Sequence, residues 1–154
     1  MRERKIHLND AMPLILEKLN AGYEVTFSPR GTSMLPFLKE GRDTVTLKLP
    51  QGRLKKYDVA FYQRKNGQYV LHRVARVGEG DYTFIGDNQF VLEKGIEEDQ
   101  IIAVCSSFDR KGKVISAKSP LWRTCAFFWH YSRFPRRVIA ALCRRARKLF
   151  KHEN

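Results

Sequence analysis

Three polar side chains carry the groups that a hydrolytic serine mechanism needs, and each is predicted to lie in or beside a strand or turn. Ser33 lies in a loop ahead of a proline, His72 lies inside a strand-like run, and Asp87 lies in a turn just past another such run. A serine hydroxyl is a poor nucleophile until a neighbouring base takes its proton. Neutral imidazole, with an ordinary pKa of about 6.5, suits that task near neutral pH. A carboxylate can fix the imidazole tautomer and stabilise the imidazolium as it forms.

Each of these residues also has an ordinary structural explanation. Ser33 alone is consistent with a solvated loop hydroxyl, His72 with a half-buried strand histidine, and Asp87 with a turn residue. The two interpretations differ in whether the fold brings the three side chains together. That depends on the elements that carry them.

The pattern of apolar residues predicts one helix followed by a region of strands. Asn9 or Asp10 can cap a helix that ends at residues 20–22, Asn-Ala-Gly. Residues 66–67, Asn-Gly, are a strong hairpin signal between two strand-like runs. Six such runs without an intervening helix predict an antiparallel, barrel-like or rolled sheet. The six runs begin at Tyr23, Thr44, Val59, Tyr69, Tyr82 and Ile101.

The last quarter of the chain has a different composition. Residues 120–154 contain nine basic residues and one acidic residue, a net charge of +8 within a total of +13. Two helices are predicted there, over residues 121–134 and 135–151, with Pro135 between them. The second helix is amphipathic and basic, which is typical of a helix on an anionic bilayer. The alternative is that its apolar stripe packs on the sheet. We place the domain boundary at 119/120, so that residues 1–119 form the main domain and 120–154 a helical tail.

Four short motifs resemble those of signal peptidases and of the related self-cleaving repressor peptidases. Residues 33–36 read Ser-Met-Leu-Pro, like the Ser-Met-x-Pro nucleophile box. Residues 56–61 read Lys-Tyr-Asp-Val-Ala-Phe and resemble the following strand, usually written Gly-Asp-x-Val-x-Phe. Residues 71–74, Leu-His-Arg-Val, resemble the box with the general base, and residues 86–88 form the Gly-Asp-Asn box. Their order and spacing agree with that family over roughly residues 25–110.

The resemblance implies a mainly-β, signal-peptidase/LexA-like rolled antiparallel sheet and a serine endopeptidase. His72 matches the branch that uses histidine as the base instead of lysine, and that branch has an acidic residue shortly after its Gly-Asp-Asn box. Glu93 lies six positions after Asp87, where that residue is expected, so either carboxylate can be the orienting acid. The Ser33 backbone N–H is the first candidate for the oxyanion hole. Tyr57 departs from the family's glycine and puts the local turn geometry in doubt.

Composition suggests how such an enzyme would be placed and partnered. Three widely spaced cysteines indicate free thiols in a reducing compartment, and no metal or cofactor is implied. No apolar run approaches the roughly 20 residues of a membrane span, although related peptidases usually carry such an anchor. We therefore expect a cytoplasmic chain, peripheral on the inner membrane face through residues 120–154, acting on a peptide or precursor protein; nucleic acid is not favoured. The alternative is a protein that is carried across the membrane by a route that the sequence does not reveal. The rival hypothesis is a non-catalytic binding module of the same fold, whose tail binds membrane or nucleic acid.

Overall fold

The computed structural model describes the backbone of residues 8–151. Three α-helices, α1 (Leu8–Asn20), α2 (Pro120–Tyr131) and α3 (Arg133–Lys151), flank the strands within that range. The strands are β1 (Val25–Phe27), β2 (Asp43–Lys48), β3 (Val59–Gln63), β4 (Tyr69–Val77), β5 (Asp81–Ile85), β6 (Glu93–Glu97), β7 (Ile101–Arg110) and β8 (Lys113–Ser116). A short 3-10 turn, Glu98–Gln100, joins β6 to β7.

Within residues 8–151 the eight strands form one antiparallel sheet in the order β1-β2-β7-β3-β4-β5-β6, and β8 pairs with β7. The predicted mainly-β fold, with a short N-terminal helix and a helical C-terminal segment, is confirmed. All six predicted strands are present, and the Asn66–Gly67 hairpin joins β3 to β4. The sequence pattern missed β6 and β8, because both are short, β6 buries only Ile96, and none of the four residues of β8 is fully buried.

The central strand β3 is buried on both faces and separates two apolar clusters. Val59 and Phe61 point into the main cluster, while Ala60 and Tyr62 point into the second cluster. This division follows from the alternation of side chains along a strand. The main cluster also contains buried residues of α1, β2 and β7, and the second contains residues of β4, β5 and β6.

Helix α1 ends as predicted, whereas its start differs from the prediction. Gly22 has a φ of 84° and its N–H bonds to Leu19 O, while the Tyr23 N–H bonds to Lys18 O. These two bonds form a Schellman motif, which glycine favours because it adopts a left-handed conformation at little cost. Asn9 and Asp10, predicted as caps, lie inside the helix. Asp10 in the first turn instead complements the positive end of the helix dipole.

The first helix of the C-terminal segment packs against the sheet. Helix α2 starts at Pro120, and its Trp122 is 5% exposed inside the main cluster, where it stacks on Phe108 at 4.5 Å. Helix α2 therefore contributes a buried side chain to the main cluster. The helices divide at Ser132, three residues before the predicted break at Pro135. Pro135 is tolerated inside α3 because it lies in the first turn, where a residue needs no partner for its N–H. No helix within residues 8–151 combines the length and apolarity needed to cross a membrane.

Candidate active site

The loop that carries Ser33 is held on both sides. The next residues, Met34, Phe37 and Leu38, are buried in the main cluster and anchor the loop to the core. On the other side, the Asn88 N–H donates a hydrogen bond of 2.8 Å to the Ser33 carbonyl. The half-buried Ser33 side chain is thereby presented from a loop that is pinned at its backbone.

Gly86 permits that contact. A Cβ atom at this position would lie 2.8 Å from the Ser33 carbonyl oxygen, so any larger residue would push the two turns apart. The Gly-Asp-Asn turn is thus a brace for the serine loop, and this accounts physically for its glycine.

His72 lies on β4, opposite Ala60 of β3, and is 3% exposed. It shares a face of the strand with Val70 and Val74 of the second cluster. Its ring and Ser33 line the same cleft, which has a volume of about 280 Å³. Phe27 of β1, Phe61 of β3 and Leu71 of β4 form part of the apolar wall of this cleft. The fold therefore brings the predicted nucleophile and the predicted base to one cavity.

Two groups approach the Nδ1 atom of His72. The Tyr62 hydroxyl oxygen lies 3.3 Å from Nδ1, and the same hydroxyl donates a 2.8 Å hydrogen bond to Glu93 Oε2. Glu93 Oε2 itself is 3.9 Å from Nδ1, which is too long for a direct hydrogen bond. Glu93 therefore reaches the imidazole through Tyr62.

Arg64 completes this group. Its guanidinium binds both carboxylate oxygens of Glu93 with bonds of 2.6 Å. These bonds lower the pKa of Glu93, burial opposes the shift, and the Tyr62 hydrogen bond adds to it. Burial and the Glu93 contact raise the pKa of the Tyr62 hydroxyl. At neutral pH the set therefore contains an ionised carboxylate and a protonated phenol.

Burial also governs His72. Desolvation lowers the pKa of its imidazole to about 4, the Glu93 charge raises it, and the Arg64 charge lowers it. The desolvation effect is the largest. His72 is consequently neutral over the physiological range, which is the state that a general base requires.

Asp87 is bound elsewhere. Its carboxylate forms a two-bond ion pair with Arg73, at 2.7 and 2.8 Å, and both side chains are at most 3% exposed. Arg73 follows His72 on β4, so strand alternation sends it to the opposite face, where it lies 5.1 Å from the Phe37 ring centroid. Trp129 of α2 donates to the Asp87 carbonyl at 2.7 Å.

The structure thus separates the two candidate acids. Glu93 lies beside His72, whereas Asp87, in the turn that braces Ser33, pairs with Arg73. The sequence motifs did not indicate that Tyr62, Arg64 and Arg73 belong to these two groups of polar side chains. Two signals could have identified Tyr62 and Arg73: each is a polar side chain inside an otherwise apolar strand pattern, and Arg73 adjoins the base.

Tyr57, the departure from the family pattern, has a φ of 74°. That left-handed conformation is one that glycine adopts at little cost and other residues adopt rarely. The tyrosine ring lies against α2, with centroid distances of 6.2 Å to Phe127 and 6.0 Å to His130. Its carbonyl accepts a 3.1 Å bond from Arg73.

A second depression in the described part of the surface does not combine the two residues. A wider depression of about 560 Å³ is lined by side chains of β4, β5 and the helices, among them Arg76, Asp81 and His130, but by neither Ser33 nor His72. In the part of the chain that the structure describes, no three His, Cys, Asp or Glu side chains are grouped to hold a metal ion. A scan against models of known protein families finds no match for this chain, and a comparison with curated proteins finds none of significance.

Proposed function

We propose that the protein is a serine endopeptidase of the signal-peptidase-like type, with Ser33 as nucleophile and His72 as general base. The observation that supports this most is that both side chains line one cleft, with the buried imidazole neutral and held on its Nδ1 side. The bracing of the Ser33 loop by Gly86 and Asn88, and the left-handed Tyr57, give further support. Each of these features explains one motif of the resemblance by its geometry.

The reaction would proceed by acyl transfer. His72 takes the Ser33 proton as Oγ attacks the scissile carbonyl carbon, and the Ser33 N–H stabilises the oxyanion. Collapse of the tetrahedral intermediate breaks the C–N bond, and His72 returns the proton to the leaving amine. A water molecule then hydrolyses the acyl-enzyme, with His72 again acting as the base.

An extended peptide suits the cleft. Within residues 8–151, β1 pairs only with β2, and the first half of β4, Tyr69 to His72, pairs only with β3, because β5 begins its pairing at Arg73. The cleft includes Phe27 at the end of β1 and this free half of β4. A substrate strand would pair with unpaired backbone groups there, which fixes the register of cleavage.

A serine-directed fluorophosphonate probe tests the proposal without knowledge of the substrate. Intact-mass and peptide mapping should place a single adduct on Ser33 in the wild-type protein and none in Ser33→Ala. Ser28→Ala is the matched control, because Ser28 lies nearby but its hydroxyl is bonded to the Asp43 carbonyl at 3.1 Å; it should label normally. No adduct on Ser33 over a range of probes would favour the rival, a non-catalytic binding module.

We also propose that the surface formed by the exposed faces of α2 and α3 binds an anionic membrane. Its apolar residues are from 42% to 78% exposed: Leu121, Phe127, Phe128, Tyr131, Phe134, Val138, Ile139 and Leu142. The stripe on α3 is therefore not covered by the sheet in its described part. Arginines flank it, Arg137, Arg144 and Arg145 among them, all exposed. Apolar insertion beside basic charge fits an anionic lipid surface, which would place the enzyme on the inner leaflet beside cytosolic precursors.

Vesicle sedimentation tests this surface. Phe134→Ser with Ile139→Ser should weaken binding to phosphatidylserine-containing vesicles several-fold, because both exposed side chains would insert into the bilayer. Val91→Ser with Val114→Ser is the matched control, since these exposed valines lie on other elements. Equal binding by both double variants would contradict the proposal, and retention on nucleic acid instead of vesicles would favour the rival ligand.

A further inference from the structure

The hydrogen bonds around the Tyr62 hydroxyl allow one arrangement of protons. A phenol has one proton to donate, and an ionised carboxylate can only accept. Because Tyr62 donates to Glu93 at 2.8 Å, its proton is not available for His72. The 3.3 Å contact with His72 must then be a bond from the Nδ1 proton of the imidazole to the phenol oxygen.

This arrangement assigns the tautomer of His72. With the proton on Nδ1, the lone pair of the neutral ring is on Nε2. The nitrogen that Tyr62 occupies is then the one that a general base does not need. The reacting nitrogen is left free for the hydroxyl proton of Ser33, which lines the same cleft.

We infer that Tyr62 is a positioning residue, which links Glu93 to His72 and holds the imidazole as its Nδ1–H tautomer. Tyr62 is fully buried, and its ring packs against His72 at a centroid distance of 6.3 Å and on Phe84 at 4.5 Å. The phenol oxygen therefore has little freedom to move away. The assignment of the tautomer stands on the hydrogen bonds alone; its catalytic consequence rests on the proposed peptidase function.

The link also defines what Glu93 does. Its carboxylate does not touch the imidazole, so its negative charge acts on the forming imidazolium at 3.9 Å and through the phenol. Arg64 binds both carboxylate oxygens, and Oε2 accepts from the Tyr62 hydroxyl as well. The orienting unit is thus a chain of three groups, Glu93, Tyr62 and His72, in which the middle group carries no charge.

The chain offers a matched control in Tyr82. Like Tyr62, it is fully buried in the second cluster, and its hydroxyl also makes two polar contacts. Those contacts are with the Leu54 N–H at 3.2 Å and with Glu98 at 3.3 Å, neither of which belongs to the site. Tyr82→Phe therefore reproduces the loss of a buried hydroxyl without touching His72.

Nitrogen-15 NMR of the imidazole rings tests the tautomer in the free protein at pH 7. The wild type should show His72 with a protonated Nδ1 and an unprotonated Nε2. Tyr62→Phe should convert the signal to the Nε2–H form or to a mixture, and Tyr82→Phe should leave it unchanged. Comparison with His72→Gln assigns the resonance. An Nε2–H tautomer in the wild type, or an Nδ1–H signal unchanged in Tyr62→Phe, would overturn the inference.

The rate of Ser33 phosphonylation gives the functional readout. Tyr62→Phe should react at least roughly 10-fold more slowly at pH 7, as expected when a general base loses its alignment, and Tyr82→Phe should react within about twofold of wild type. A Tyr62→Phe protein that reacts at the wild-type rate would remove the catalytic consequence. If wild-type protein never reacts although the NMR result is as predicted, the peptidase proposal fails and the tautomer assignment stands.

Discussion

Two neighbouring residues of β4, His72 and Arg73, form two buried polar centres on opposite faces of the sheet. On one face His72 contacts Tyr62, a neutral hydrogen-bonding group, and is left uncharged. On the other face Arg73 forms a fully paired salt bridge with Asp87. The first centre lines a cleft with Ser33, and the second lies beneath α2, where Trp129 also binds Asp87.

Under the proposed peptidase function, this difference corresponds to a division of labour, which the alternation of side chains along β4 allows. A base has to change its protonation state, so it needs an environment that does not lock its charge. A structural brace needs an environment that keeps its charges fixed. A buried ion pair with two hydrogen bonds provides this, because removing either partner leaves the other as an uncompensated buried charge. The brace nonetheless bears on the site, since the turn that carries Asp87 binds the Ser33 carbonyl.

Of the proposed variants, Ser33→Ala should have the largest effect on peptide cleavage, and it should leave stability nearly unchanged. Removing one oxygen from a half-buried loop residue should abolish peptide cleavage, whereas the free energy of unfolding should stay within about 0.5 kcal/mol of wild type. Cleavage assays and urea unfolding on the same samples measure both quantities. Unchanged cleavage in this variant would contradict the enzyme assignment.

His72→Lys sharpens the distinction between this chain and lysine-dependent peptidases. Burial favours a neutral lysine, but the nearby Glu93 carboxylate favours the charged ammonium. We expect a loss of at least roughly 100-fold in kcat/KM at pH 7, the contribution of a general base, with partial recovery at alkaline pH. The pH profile of kcat/KM checks this, and near-wild-type activity at pH 7 would show that the site does not depend on imidazole.

Asp87→Asn should act mainly on stability. The substitution leaves the Arg73 guanidinium, 2% exposed, without its counter-charge, which should cost about 3 kcal/mol of unfolding free energy. Urea unfolding measures it, and Asp99→Asn, at an exposed position, should have little effect. The pH dependence of the remaining activity should keep its acid limb. A shifted limb with unchanged stability would instead make Asp87 the orienting acid.

Glu93→Gln should show the opposite pattern. Its partner Arg64 is partly exposed, so the stability loss should stay below about 1 kcal/mol. The loss of charge beside His72 should lower kcat/KM by roughly 10-fold or more and move the acid limb to lower pH, because the Glu93 charge raises the pKa of His72. If this variant is as active as wild type, the proposed role of Glu93 beside His72 is contradicted.

The sequence alone predicted the mainly-β fold, and it singled out Ser33 and His72, which line one cleft in the structure. Alternating apolar residues, the Asn66–Gly67 turn and the glycine after α1 predicted the main elements because each is a local signal. Local patterns could not predict which carboxylate, Asp87 or Glu93, lies beside His72, because this depends on which face of β4 each carboxylate meets. β6, which carries Glu93, was too polar to be predicted as a strand.

The pairing of β3 with β4 indicates that Tyr62 lies close to His72. The hairpin register pairs Ala60 with His72 and Tyr62 with Val70, so Tyr62 and His72 are diagonal neighbours on one face. Diagonal neighbours are within reach when the side chains are long or aromatic. The left-handed conformation of Tyr57 could not be predicted from tyrosine itself. Only the resemblance, in which glycine usually stands at this position, hints at it.

The measurement that tests the central claim most directly is the pH dependence of the rate at which a fluorophosphonate modifies Ser33. Because burial lowers the pKa of His72 to about 4, the rate should stay high from neutral pH down toward pH 5 and fall on protonation of the imidazole near pH 4. His72→Ala should lose at least roughly 100-fold of the rate at pH 7, whereas His130→Ala, at another histidine whose pKa burial lowers, should keep both rate and limb. A His72→Ala protein that reacts with wild-type rate and pH dependence would contradict the assignment of His72 as the base that activates Ser33.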